Sequence, residues 1–131
     1  MFEESWVVIR GAGDLATGVI HRLVRSGFPV IATDIASPTV IRRTVAFAEA
    51  VPEGECTVEG ITARRVDGLE EAMRVGREGI VPVLVDPGAR IVERLNPFAV
   101  VDAILAKRNV GTRRGIADVV IGLGPGFTAG E

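Results

Sequence analysis

The chemistry of this 131-residue sequence is concentrated in glycines and aspartates rather than in nucleophiles. The stretch VVIRGAGDLATGV, residues 7–19, places Gly11, Gly13 and Gly18 directly after an apolar run. Glycine loses more backbone entropy on folding than any other residue, so a cluster of it marks a turn that something approaches closely. Gly11-Ala12-Gly13-Asp14-Leu15-Ala16 fits the pattern G-x-G-x-x-G/A. In that pattern Gly11 permits the tight turn, Gly13 lets backbone approach a pyrophosphate, and Ala16 lets helix pack closely on strand. The helix start adds unpaired N–H groups and the positive end of its dipole. Asp34 ends the next apolar run, about 20 residues on, where a carboxylate accepts the ribose hydroxyls of an adenosine. The same charge repels a 2′-phosphate and favours an NAD-like over an NADP-like ligand. Asp14 suits the helix dipole but crowds an anionic phosphate, so it either caps the helix or points away. The alternative is plain helix–strand packing, with Asp34 capping a loop.

A second cluster, Gly122-Leu123-Gly124-Pro125-Gly126, also follows a short apolar run, as does Asp86-Pro87-Gly88. If the runs are strands of one parallel sheet, all three loops emerge at its carboxyl edge, where open α/β sheets bind ligands. Asp86, Gly88, Gly122, Gly124 and Gly126 are then expected to complete the cleft opened by Gly11 and Gly13 and to hold the non-adenosine end. Backbone N–H groups of glycine turns can cradle an anion without any side chain. Ordinary tight turns are the alternative. Arg42 and Arg43, and Arg113 and Arg114 within GTRRG, supply planar forks suited to phosphate, yet fit a solvated face better. His21 reads as a surface or packing histidine and Cys56 as a small apolar residue. The sequence shows no metal-ligand spacing, nucleophile elbow or acid–base pair.

The elements that must position these residues alternate. Trp6–Ile9 reads as a buried strand and Asp14–Ser26 as a helix burying Leu15, Val19 and Leu23, widened by Ala16 and Ile20. Gly27 sits where a left-handed helix end belongs. FPVIATD is a second strand, and Ser37-Pro38 opens a helix running to about Ala50. PEGE, residues 52–55, reads as a turn, and Cys56–Val66 as two short strands about Glu59-Gly60. Leu69–Arg77 is a helix, GIVPVLVDPG a parallel strand, Arg90–Leu95 a short helical connection, Phe98–Leu105 a strand and Asp118–Ile121 the last strand. Alternating strands and helices predict a Rossmann-like, doubly wound, mostly parallel sheet over residues 1–131, a single α/β domain. Such a fold would add a helix after the last glycine turn, so a longer chain or a partner is expected to cover that end.

Composition narrows the function classes. The net charge of −2 and the absence of charged runs argue against nucleic acid and membrane surfaces as partners. Lys107 is the only lysine among 15 basic residues. One cysteine excludes an intramolecular disulfide and fits a reducing compartment, and no signal peptide or spanning apolar run is visible. A cytoplasmic location is expected.

VVIRGAGDLATGVIHRL, SPTVIRRTVAFAEAV, VEGITARRV, VDAILAKRN, GTRRG and VIGLGPGFTAG together resemble the YqeB-like family. These are accessory proteins of the selenium-dependent molybdenum hydroxylase system, related in role to xanthine dehydrogenase accessory proteins. The resemblance spans nearly the whole chain, and its motifs are specific together rather than singly. Family members run to roughly twice this length, which implies an N-terminal part of a longer architecture. The resemblance implies a maturation role, such as handling or inserting a molybdenum cofactor, with a hydroxylase or another maturation protein as partner. It offers a molybdenum-cofactor nucleotide as an alternative ligand, and no catalytic residue carries over. Relatives often have glutamate at the position of Asp34, which retains the carboxylate. Three classes stay open: a nucleotide-binding maturation factor, an NAD-dependent oxidoreductase, and a ligand-free Rossmann-like interaction module. A homo-oligomer is compatible with each.

Overall fold

The computed structural model of the chain describes residues 5–12, 14–34, 46–47, 50–86, 90–103 and 119–122. In chain order the elements are β1 (Val7–Arg10), α1 (Asp14–Arg25), β2 (Val30–Asp34), α2 (Ala50–Glu53), β3 (Glu55–Val58) and β4 (Ile61–Val66). They continue with α3 (Leu69–Arg77), β5 (Val81–Val85), α4 (Ile91–Leu95), β6 (Ala99–Asp102) and β7 (Val119–Gly122). The strands form one seven-stranded sheet in the order β3-β4-β5-β2-β1-β6-β7. Every pairing is parallel except the β3–β4 hairpin. That hairpin turns at Glu59 and Gly60, whose φ angles of 47° and 85° give the left-handed geometry that two-residue hairpin loops favour.

Alternation along the strands sorts side chains onto two faces. Val7, Ile9, Val30, Ala32, Val83 and Val101 face the layer of α1 and α2, where Ile20, Phe47 and Val51 are buried. Val8, Ile31, Leu84 and Val100 face α3 and α4, against Val75, Ile91 and Val92. The central strands are apolar on both faces because helices cover both. This is a Rossmann-like, doubly wound fold.

Three expectations need correction. The buried face of α1 centres on Ala16 and Ile20, both at most 1% exposed, while Val19 and Leu23 are only partly buried. Val19 and Leu23 pack against the same core from its margin. PEGE is only partly a turn. Pro52 and Glu53 continue α2, where a first-turn proline loses no helical hydrogen bond, and Gly54 alone makes the bend at φ 85°. Phe98–Leu105 shortens to a strand of Ala99–Asp102. The expected helix from Ser37 lies outside the described residues up to Val45.

Gly76 in α3 marks where helix and sheet meet most tightly. A Cβ there would lie 2.9 Å from Cη2 and Cζ3 of buried Trp6. Gly76→Val is therefore expected to lower stability by about 1–3 kcal/mol, the usual cost of overpacking, read as a lower urea midpoint at unchanged m-value. An unchanged midpoint would mean that Trp6 repacks freely.

Candidate functional site

β1 lies between β2 and β6, and the chain winds outward from it in both directions. Ligands of open α/β sheets bind outside the carboxyl ends of the strands at such a reversal. The glycine turn stands there. Gly11 has φ 99°, a conformation that side chains rarely adopt, and its N–H donates to the Thr33 carbonyl at 2.6 Å. Ala12 is fully buried and gripped at both backbone groups. Its N–H donates to Asp34 Oδ2 at 2.8 Å, and its carbonyl accepts from Thr17 Oγ1 at 3.2 Å. Thr17 Oγ1 in turn accepts from the Phe47 N–H at 2.9 Å. Asp34, Thr17 and the segment carrying Phe47 together fix the turn's shape.

Asp34 thus stands at the end of β2 beside the turn, with one carboxylate oxygen already holding backbone. A carboxylate offers about four acceptor sites, so this bond is compatible with accepting ribose hydroxyls as well. Asp14 begins α1 and Ala16 is buried against the sheet in its first turn. Gly13, Gly88, Gly124, Gly126, Arg42, Arg43, Arg113 and Arg114, and the side chains of Asp14 and Leu15, lie outside the described residues.

The loops after β5 and β7 emerge at the same sheet edge as the glycine turn but do not share one end of it. Asp86 follows β5, on the Asp34 side of β1, whereas Gly122 ends β7, on the far side. At about 4.8 Å per strand, β5 and β7 are roughly 19 Å apart. Asp86 stands beside Asp34, its N–H donating to the Asp34 carbonyl at 3.0 Å. Its Oδ2 accepts the Ile91 N–H at 3.0 Å, so it also anchors the start of α4.

Sequence reasoning missed a buried polar row. Arg10, Thr33 and Asp102 occupy the last rungs of β1, β2 and β6, with Arg10 in register with both others. Each is at most 2% exposed, and Arg10 NH1 lies 3.4 Å from Asp102 Oδ2. All three share the α3/α4 face with Val8, Ile31 and Val100. A visible signal existed: opposite charges end the apolar runs VVIR and AVVD. His21 lies elsewhere, its Nε2 3.3 Å from the Glu59 carbonyl at the β3–β4 turn, where Arg25 also donates at 3.1 Å. Cys56 Sγ lies 3.7–3.8 Å from the carbonyls of Ala46 and Phe47. Neither contact reaches the glycine turn. Among the described residues no cluster of His, Cys, Asp and Glu could hold a metal ion. A cavity of about 520 Å³ opens at the opposite end of the strands, lined by Val24, Phe28, Gly76, Arg77 and Ile80 among others.

Comparison with known proteins adds one relative. The chain is 58% identical over 125 residues to the uncharacterized protein YqeB of Escherichia coli strain K12. The chain is similar to YqeB along nearly its whole length. The match covers 95% of this chain and 23% of YqeB, so the relative is longer than the roughly twofold length expected from the resemblance. No protein-family model and no solved structure matches. Among the described residues, no helix of this YqeB-like chain is long and apolar enough to cross a membrane.

Proposed function

We propose that the YqeB-like chain binds an adenosine-containing nucleotide, NAD-like in preference, within an accessory protein that matures a selenium-dependent molybdenum hydroxylase. A molybdenum-cofactor nucleotide is the alternative ligand. One observation carries the nucleotide reading: Asp34 Oδ2 meets the Ala12 N–H at the point where strand order reverses. That contact brings the ribose-reading carboxylate and the phosphate-approaching turn together. The hydroxylase link rests on the family resemblance. Exposed Phe98, Val119 and Ile121 support a protein partner on the β6–β7 side, whether the hydroxylase, another maturation protein or a second copy. The single cysteine supports a reducing, cytoplasmic location.

Calorimetry of the purified chain with NAD, ADP and CTP tests the ligand, and CTP probes the cofactor-nucleotide alternative. NAD and ADP are expected to bind, Gly13→Val to abolish binding, and Asp34→Ala to weaken it by about 1–3 kcal/mol, the scale of hydrogen bonds to a charged group. The bond from Asp34 to Ala12 also favours a second reading, in which the carboxylate serves only the fold of a ligand-free interaction module. Folded protein that gives heat with none of the three ligands would establish that second reading. Hydride transfer from bound NADH to a carbonyl would instead favour an oxidoreductase.

A further inference from the structure

We propose that Arg10 makes the switch-point site selective for a phosphate-bearing ligand over a neutral nucleoside, with Asp102 holding its guanidinium in place. The inference rests on the nucleotide reading above. Arg10 is the last residue of β1, directly before Gly11, and the one basic residue on β1 and the two strands beside it. It is 1% exposed, in register with Thr33 on one side and Asp102 on the other.

The fold alone does not call for this charge. Buried ion pairs replaced by apolar side chains of similar volume are often neutral or stabilising changes. The neighbouring rungs Leu84 and Val100 show that this face accepts aliphatic residues.

Electrostatics supplies the reason to keep it. Asp34 and Asp102 end the two strands that flank β1, and both repel an incoming phosphate. Arg10 lies between them under the turn, about one strand spacing from each. In a low-dielectric interior its field is weakly screened, so it acts on the ligand without touching it. Arg10 is therefore a positioning and electrostatic residue, and Asp102 tempers it.

The test compares ADP with adenosine by calorimetry, because Arg10 acts on the phosphates alone. Two variants should move the preference in opposite directions. Arg10→Met/Asp102→Leu removes both charges; it is expected to bind adenosine as the wild type does and to lose at least tenfold of the preference for ADP. Asp102→Asn keeps the shape, leaves Arg10 in charge excess, and is expected to raise that preference severalfold. A purely structural role would not shift the ratio in opposite senses. If the double variant fails to fold, Asp102→Asn decides alone. A ratio unchanged in the folded variants, or a wild type that binds ADP and adenosine equally, overturns the inference and leaves nucleotide binding standing. A wild type that takes up neither ligand overturns both.

Discussion

Asp102→Ala should cost the fold about 3–5 kcal/mol, the usual cost of truncating one member of a buried ion pair. Both side chains of the Arg10–Asp102 pair are 2% exposed, so water cannot take over the role of the carboxylate. The damage should be confined to the β1–β6 seam, where the two residues occupy paired positions at the carboxyl end. Urea unfolding measures the total, and hydrogen exchange at Ala103, whose N–H donates to the Arg10 carbonyl at 2.9 Å, reports the seam directly. Arg10→Met/Asp102→Leu should recover most of the stability, since buried ion pairs replaced as a whole by apolar side chains of similar volume are often neutral changes. A single variant as stable as the wild type would show that the guanidinium reaches solvent after the truncation.

That row also shows which part of the molecule was legible in the sequence. Short runs rich in valine and isoleucine, bracketed by glycine, proline and aspartate, announce buried parallel strands, and β1, β2, β5, β6 and β7 all lie within such runs. Leu69–Arg77 could be read to its last residue because its apolar positions and flanking glycines agree. The Arg10–Asp102 pair could not be read in the same way. Its members stand 92 positions apart, and only the decision to lay β6 beside β1 brings them into register. The side of β1 on which Asp86 emerges is hidden for a related reason. Spacing along the chain reveals that a loop follows a strand, but strand order decides on which side of β1 that loop emerges. β5 inserts between β4 and β2, and nothing local to GIVPVLVDPG encodes that position. On α1, periodicity gives the face but not its depth: Ala16 and Ile20 are buried more completely than Val19 and Leu23.

Phe47→Ala should have a comparably large effect, about 3–5 kcal/mol, by a different route. Phe47 is fully buried in the α1/α2 layer, among the largest side chains with no exposure, and its removal leaves a cavity in a packed core. Its backbone N–H donates to Thr17 Oγ1, and Thr17 Oγ1 donates to the carbonyl of Ala12 in the glycine turn. Losing the aromatic anchor should loosen that relay as well as the core. The expected signature is therefore twofold: a lower urea midpoint, and faster amide exchange at Ala12, whose N–H is held by Asp34. Thr17→Val separates the two routes. It keeps the volume but removes both hydrogen bonds of the hydroxyl, leaving the Phe47 N–H and the Ala12 carbonyl without this partner at a cost of about 1–3 kcal/mol each. If Phe47→Ala lowers the midpoint while exchange at Ala12 stays slow, the core and the turn are energetically separate, and Thr17 and Asp34 hold the turn without the aromatic anchor. If both variants speed exchange at Ala12, the segment carrying Phe47 is part of the apparatus that shapes the nucleotide turn.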